Sequence, residues 1–273
     1  DGIIFRFQGN SLILSRRWEW IIMIPWSVSF WLFFELINLR LENWHYINVM
    51  NNLALRWLDY FISFGTVLPG IFETYELLNF LEIFPKAKTR PLKIDQGYFL
   101  EFYLLGTTFI LFPLIFPKYF FPFIWLALIF LLEPINYRYG SFSLLRNFEE
   151  GNFRPLVLLL TAGLICGFLW EFWNFWAKSK WIYTIPFFQQ FKIFEMPLAG
   201  FLGFPPFAVE AFVFYNFISI FRFKRNWDKY NYLKSQNKKI SIYLKAVLVI
   251  SFLTFWALCF HYIDLHTVKS FSS

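Results

Sequence analysis

Five stretches of the chain stay apolar for about 18 residues or more, the length at which a helix covers a hydrocarbon core of roughly 30 Å. They are 18–39, 97–116, 119–137, 156–176 and 240–263, and each predicts one membrane-spanning helix. Two longer runs, 57–84 and 194–221, carry prolines near their middles. A proline removes a helical hydrogen bond and crowds the turn before it, so each run is either a kinked helix or a short helix followed by a span. Each is counted once. The expected fold is all-α: a polytopic membrane helix bundle of about seven transmembrane helices, forming one membrane domain over 1–273.

Composition agrees, with 58% hydrophobic, 25% aromatic and only 16% charged residues, well outside the range of soluble domains. The charges also orient the bundle. Seven spans place 18 of the 25 basic residues on one side, among them Arg16, Arg17, Lys86, Arg90, Arg146 and the run from Arg222 to Lys239. The other side receives Arg40, Arg56, Lys118, Lys178, Lys180, Lys192 and Lys269. Cytoplasmic loops carry the basic excess, so the N-terminus is expected inside and the C-terminus on the opposite side, in a bacterial or archaeal cytoplasmic membrane. Basic loops beside anionic headgroups account for the net charge of +7, and no nucleic-acid partner is needed. Segment 222–239 reads as a cytoplasmic loop, with lipid or partner binding as the sharper alternative. Cys166 and Cys259 both fall in apolar spans, where a buried apolar role is the default. No cleavable signal peptide is visible, and the first residue is Asp rather than Met, so the chain is read as processed or incomplete at its start.

A search for internal repeats aligns the first quarter of the chain with its second half at an offset of 136 to 137 residues. Phe34, Glu35 and Asn38 fall on Trp170, Glu171 and Asn174, and Trp44 and Tyr46 fall on Trp181 and Tyr183 after one insertion. Pro69, Glu73, Asn79 and Phe80 then fall on Pro206, Glu210, Asn216 and Phe217. Asp59 against Glu195 is a weaker correspondence that needs a second gap. Repeat one is taken as 18–116, a connecting span as 117–153 and repeat two as 154–263. An even number of spans separates the copies, which predicts parallel repeats about a pseudo-two-fold axis along the membrane normal.

Glu35, Glu73, Glu76, Glu101, Glu133, Glu171, Glu195 and Glu210 lie in or at the ends of apolar spans. An ionised carboxylate there costs several kcal/mol unless paired or hydrated, and a carboxyl kept neutral is a ready general acid. Glu35 with Asn38, Glu133 with Asn136 and Glu171 with Asn174 share a spacing that puts both side chains on one helix face, where an amide can hold a carboxyl. Glu73 and Glu210 follow prolines by four residues, as at a broken helix lining a polar cavity. The competing reading is structural, because membrane helices also use buried Glu and Asn to hydrogen-bond one another. Trp170, Trp173, Trp176 and Trp181 read most simply as an interfacial belt. Trp170 and Trp181, at or beside repeat positions, are also candidates for π faces that steady a carbocation. The histidines, His45, His261 and His266, could be joined by Asp264 or Glu42, but no zinc-like spacing, glycine-rich phosphate loop or aspartate-rich chelating motif is present. A metal site there is only weakly signalled, and none is assigned.

The order acidic residue, aromatic loop, then Pro and Glu opening an aromatic-rich span resembles the integral-membrane lycopene cyclases in their fused two-domain form. Here it reads Trp170, Glu171, Trp181, Tyr183, Pro206, Glu210 and Phe212, echoed by Glu35, Trp44, Tyr46, Pro69 and Glu73. In that family two adjacent acidic residues stand two and three positions after the proline, whereas here one Glu follows at four. The resemblance implies a redox-neutral, acid-catalysed cyclisation or isomerisation of a long isoprenoid, with no cofactor required. Glu171 or Glu210 would be the acid and Glu35 or Glu73 the partner. Asn38 and Asn174 would orient carboxyls, Trp170 and Trp181 would shield the cation, and Tyr183 and Glu195 would support. Membrane lipids and an apolar isoprenoid are the partners implied. Two other readings stay open: a proton- or ion-coupled carrier using the same carboxylates, and an accessory subunit with a membrane-protein partner on its Phe-rich surface.

Overall fold

In a computed structural model, which describes residues 1–187, 189–222, 227 and 242–272, helix dominates. The helices are α1 (Gly2–Gln8), α2 (Arg17–Leu41), α3 (Leu53–Gly65), α4 (Val67–Phe80), α5 (Phe99–Ile115), α6 (Pro117–Phe120), α7 (Ile124–Tyr139), α8 (Leu144–Glu149), α9 (Arg154–Trp176), α10 (Phe204–Phe221) and α11 (Ile242–His266). The strands are short: β1 (Trp44–Ile47), β2 (Val49–Met50), β3 (Lys180–Tyr183), β4 (Lys192–Ile193), β5 (Met196–Pro197) and β6 (Phe271–Ser272). The all-α bundle expected from the hydrophobic pattern is what forms. The basic run 222–239 lies outside the described residues except for Arg222 and Trp227.

Six stretches among the described residues are long and apolar enough to cross a membrane: Arg17–Leu41, Gln96–Ile115, Pro117–Tyr139, Arg154–Trp176, Leu198–Phe221 and Ala246–His266. The run 57–84 does not form a seventh continuous helix. It breaks at Thr66 into α3 and α4, both of which lie along α2. Pro69 is the third residue of α4; lacking an N–H and colliding with the carbonyl four residues back, it suits a helix start and not a helix interior. The break strands two backbone groups, and Ser27 on α2 satisfies both: its hydroxyl donates to Phe64 O (2.6 Å) and accepts from Leu68 N (2.9 Å). The other proline-bearing run, 194–221, resolves into a 3-10 turn over Leu198–Gly203 that leads into α10, with Pro205 and Pro206 in its first turn.

At the end of the bundle where α2 begins, buried ion pairs tie the helices together. Arg222 grips Glu19 with two nitrogens at 2.7 Å each, and Tyr215 donates to the same carboxylate at 2.6 Å. Arg16 pairs with Glu76, and Arg154 reaches Asn79 at the end of α4. At the other end α2 and α9 finish, and β1 and β3 begin. Helix α11 docks on α2 and α3, where Asp264 accepts from Arg56 Nε (2.8 Å), Trp57 Nε1 (2.9 Å) and Tyr60 OH (3.0 Å). Charged and polar groups in an apolar medium persist only when paired in this way.

Two carboxyl groups behind an aromatic cavity

Helical spacing puts Trp31, Glu35 and Asn38 on one face of α2. The helix ends at Glu42, whose left-handed backbone (φ 53°) turns the chain back on itself. Asn38 holds the returning strand: its Nδ2 donates to Trp44 O (2.9 Å), and its Oδ1 accepts from Asn43 N (2.8 Å) and Trp44 N (3.3 Å). Thus fixed, β1 delivers two donors to Glu35. Its Oε1 accepts from Tyr46 OH (2.5 Å), Trp44 Nε1 (3.0 Å) and Trp31 Nε1 (2.8 Å).

The same bonds recur at the end of α9. Asn174 donates to Trp181 O (2.9 Å) and accepts from Trp181 N (3.0 Å). Glu171 Oε1 accepts from Tyr183 OH (2.7 Å) and Trp181 Nε1 (3.2 Å). The strands then pair antiparallel, Trp44 opposite Tyr183 and Tyr46 opposite Trp181, so each Trp faces the Tyr of the other set. Residues two apart in a strand share a face, which puts all four rings on one side of the ribbon. Glu35 and Glu171 are 1% and 0% exposed, and the second oxygen of each has no hydrogen-bond partner among the described residues. Burial, and next the facing carboxylate, push ionisation of Tyr46 and Tyr183 well above the usual phenol range. Both hydroxyls therefore remain proton donors.

Beneath this ribbon lies a cavity of about 440 Å³, within the size range of small-molecule sites. Trp31, Trp44, Tyr46, Tyr60 and Phe64 wall one side; Trp170, Trp173, Trp181, Tyr183, Phe204 and Phe207 wall the other, with Trp125 of α7 between them. Trp125 stacks on Phe34 with ring centroids 4.9 Å apart. Polar lining is sparse: Asp59, Ser63 and Thr66 from α3 and its end, Asn43, Asn174, Ser179, and Lys180, whose ammonium pairs with Glu195 at 2.7 Å.

The sequence-derived candidates are therefore distributed unequally. Trp170, Trp181, Tyr183 and Asn174 line the cavity. Glu35, Glu171 and Asn38 stand one layer behind it, holding the lining residues. Glu195 serves through Lys180. Glu73 is elsewhere, 3.4 Å from Asp1 N. Glu210 is buried against α7, accepting from Leu128 N (2.8 Å) with its other oxygen unpartnered among the described residues. Glu133 accepts from Ser143 OH (2.6 Å) and Leu145 N (3.0 Å) and so secures the start of α8. Sequence reasoning passed over Trp31, Trp125 and Phe207, and noted Asp59 only as a weak match to Glu195. Trp31 had a signal, lying one turn before Glu35 on the same face. In comparisons with known proteins, no family model, curated protein or solved structure matches this chain.

Proposed function

We propose that the protein is a membrane-embedded enzyme that cyclises or isomerises the end group of a long isoprenoid by acid catalysis, as the resemblance to lycopene cyclases implies. The observation that carries this reading is the aromatic cavity backed by two buried carboxyl groups, each receiving a tyrosine hydroxyl that also lines the cavity. Tyr46 and Tyr183 meet the substrate, while Glu35 and Glu171 lie behind them as proton stores. The carboxyl O–H of Glu35 or Glu171 gives its proton to the oxygen of Tyr46 or Tyr183 as that phenol passes its own proton to a terminal C=C, leaving a carboxylate behind and a tertiary cation on the substrate. The neighbouring C=C attacks it, forming the ring C–C bond, and a proton lost from the adjacent carbon to a carboxylate restores the double bond. Nothing is oxidised or reduced. Asp59, the one carboxylate lining the cavity among the described residues, takes that proton, and the surrounding rings stabilise the cation by about 1–2 kcal/mol per desolvated contact.

The matched hydrogen bonds at Glu35 and Glu171 favour reading residues 18–116 and 154–263 as parallel copies whose outer ends meet in the ribbon. The distribution of basic residues favours a cytoplasmic N-terminus, which puts the cavity toward the opposite leaflet. The test is expression in cells that accumulate a linear carotenoid, followed by pigment analysis. Cyclised or isomerised product is expected, falling at least tenfold in Tyr183→Phe and in Asp59→Asn. Unchanged pigment alongside folded, membrane-inserted protein overturns the carotenoid assignment.

A further inference from the structure

The other face of the β1–β3 ribbon carries His45, Ile47, Lys180 and Ile182. A second pocket, of about 710 Å³, opens beside His45; it shares Asn43 and Trp44 with the aromatic cavity, and Arg40, Lys118, His266 and Lys269 are among its other lining residues, beside leucines and prolines. One carboxylate, Glu42, also lines it. Neither Lys118 nor Lys269 has a carboxylate partner among the described residues; Lys118 lies 5.6 Å from the centroid of the Tyr119 ring. Arg40 spends its Nε on Leu114 O (3.0 Å), leaving its two terminal nitrogens for another acceptor. Thr267 in the same wall is 5% exposed, and its hydroxyl has no hydrogen-bond partner among the described residues. A buried hydroxyl without a partner is costly, and here it stands in a wall that carries the exposed cations Arg40, Lys118 and Lys269 and, among the described residues, one carboxylate. The helices α2, α9 and α11 all end at this level, the depth at which lipid phosphates sit if those helices span a bilayer.

We propose that this vestibule binds a phosphoryl anion, the headgroup of a membrane phospholipid or free phosphate, through Arg40, Lys118 and Lys269, with the Thr267 hydroxyl as a neutral donor. Several oxygens carrying shared negative charge can engage separate cations at once, which a chloride ion cannot. The site is distinct from the aromatic cavity and does not depend on what that cavity does.

The test uses the whole purified protein. Inorganic phosphate is titrated in neutral detergent, and phosphatidic acid is compared with phosphatidylcholine in nanodiscs, with binding read by native mass spectrometry and thermal shift. Saturable binding of at least one phosphoryl probe is expected. It should weaken at least tenfold in Lys118→Ala/Lys269→Ala and about threefold or more in Thr267→Val, which keeps the shape and removes only the hydroxyl. Preference for phosphatidic acid identifies a headgroup, and binding of phosphate without lipid preference identifies a free anion. No saturable binding by folded protein, or equal affinity in both variants and the parent, overturns the proposal.

Discussion

The ends of α2 and α9 solve one packing problem with different residues. Both carry Glu-x-x-Asn, and both fix a Trp-x-Tyr strand by its backbone and take its indole and phenol on the carboxyl. Yet Glu35 accepts three donors and Glu171 two. The missing donor is the indole of Trp31, at whose aligned position α9 has Gly167. That glycine is filled from outside: a Cβ there would lie 2.2 Å from the Phe204 ring. One turn further from the ribbon, Ser27 on α2 bridges the α3–α4 break, while the aligned Gly163 on α9 lets the start of α10 come so near that a Cβ would be 2.3 Å from Phe204 O. The first arrangement tolerates a broken helix by supplying a hydroxyl; the second keeps its partner helix close by removing a side chain. A hydrogen-bond pattern can thus be held fixed while the means of reaching it differ.

The largest expected effect comes from removing the carboxyls. Glu35→Leu strands three donors, whereas Glu171→Leu strands only the Tyr183 hydroxyl, because Trp181 Nε1 keeps Tyr183 OH as an acceptor at 2.9 Å; each is worth roughly 1–3 kcal/mol when left unpaired. The first should lose about 3–5 kcal/mol and the second less, partly offset by relief of a buried acid. Thermal or denaturant unfolding in detergent ranks them; an equal or reversed order would break the donor-count account. Next is Gly163→Ala. Its methyl meets a backbone oxygen and, at 2.8 Å, Ala208 Cβ, neither able to rotate away, so about 3 kcal/mol is expected. Ser27→Ala strands Phe64 O and Leu68 N and should cost about 2 kcal/mol, with hydrogen exchange rising at Leu68 while the α9–α10 contact stays protected.

The fold class was legible because runs of apolar residues of span length have few alternatives. Rare residues in common order, Glu, Asn, Trp and Tyr, led to both carboxyl sets, because the chemistry that selects them is local: an amide and a carboxyl one turn apart, and a strand a few residues on. What composition hid was distance. Nothing in the sequence tells that Pro69 begins a second helix instead of kinking one, since the outcome depends on Ser27 some forty residues earlier in the chain. Glu73 and Glu210 match in sequence but not in surroundings, because Glu73 lies beside Asp1 while Glu210 faces α7, and alignment sees neither neighbour. Asp59 entered the cavity for the same reason: its wall is assembled from α2, α3, α7, α9 and α10, a meeting that no single stretch encodes.

The smallest effect sharpens the comparison most. Trp31→Phe keeps a ring against Trp44 and Phe207, which now lie 6.0 and 5.8 Å away by centroid, and deletes only the indole N–H that Glu35 holds at 2.8 Å. That lowers the donor count at Glu35 to the count at Glu171 without unburying either carboxyl. The loss should be about 1 kcal/mol, the net worth of one hydrogen bond. Combined with Glu35→Leu it should cost less than the two losses added, because in the absence of the carboxyl the indole has no partner to lose; such coupling is what contacting residues show in a double-mutant cycle. The same Trp31→Phe change combined with Glu171→Leu should be additive. Coupling of equal size to both carboxyls would mean that the two sets form one cooperative network across the ribbon, and the third donor would then belong to the pair and not to Glu35 alone.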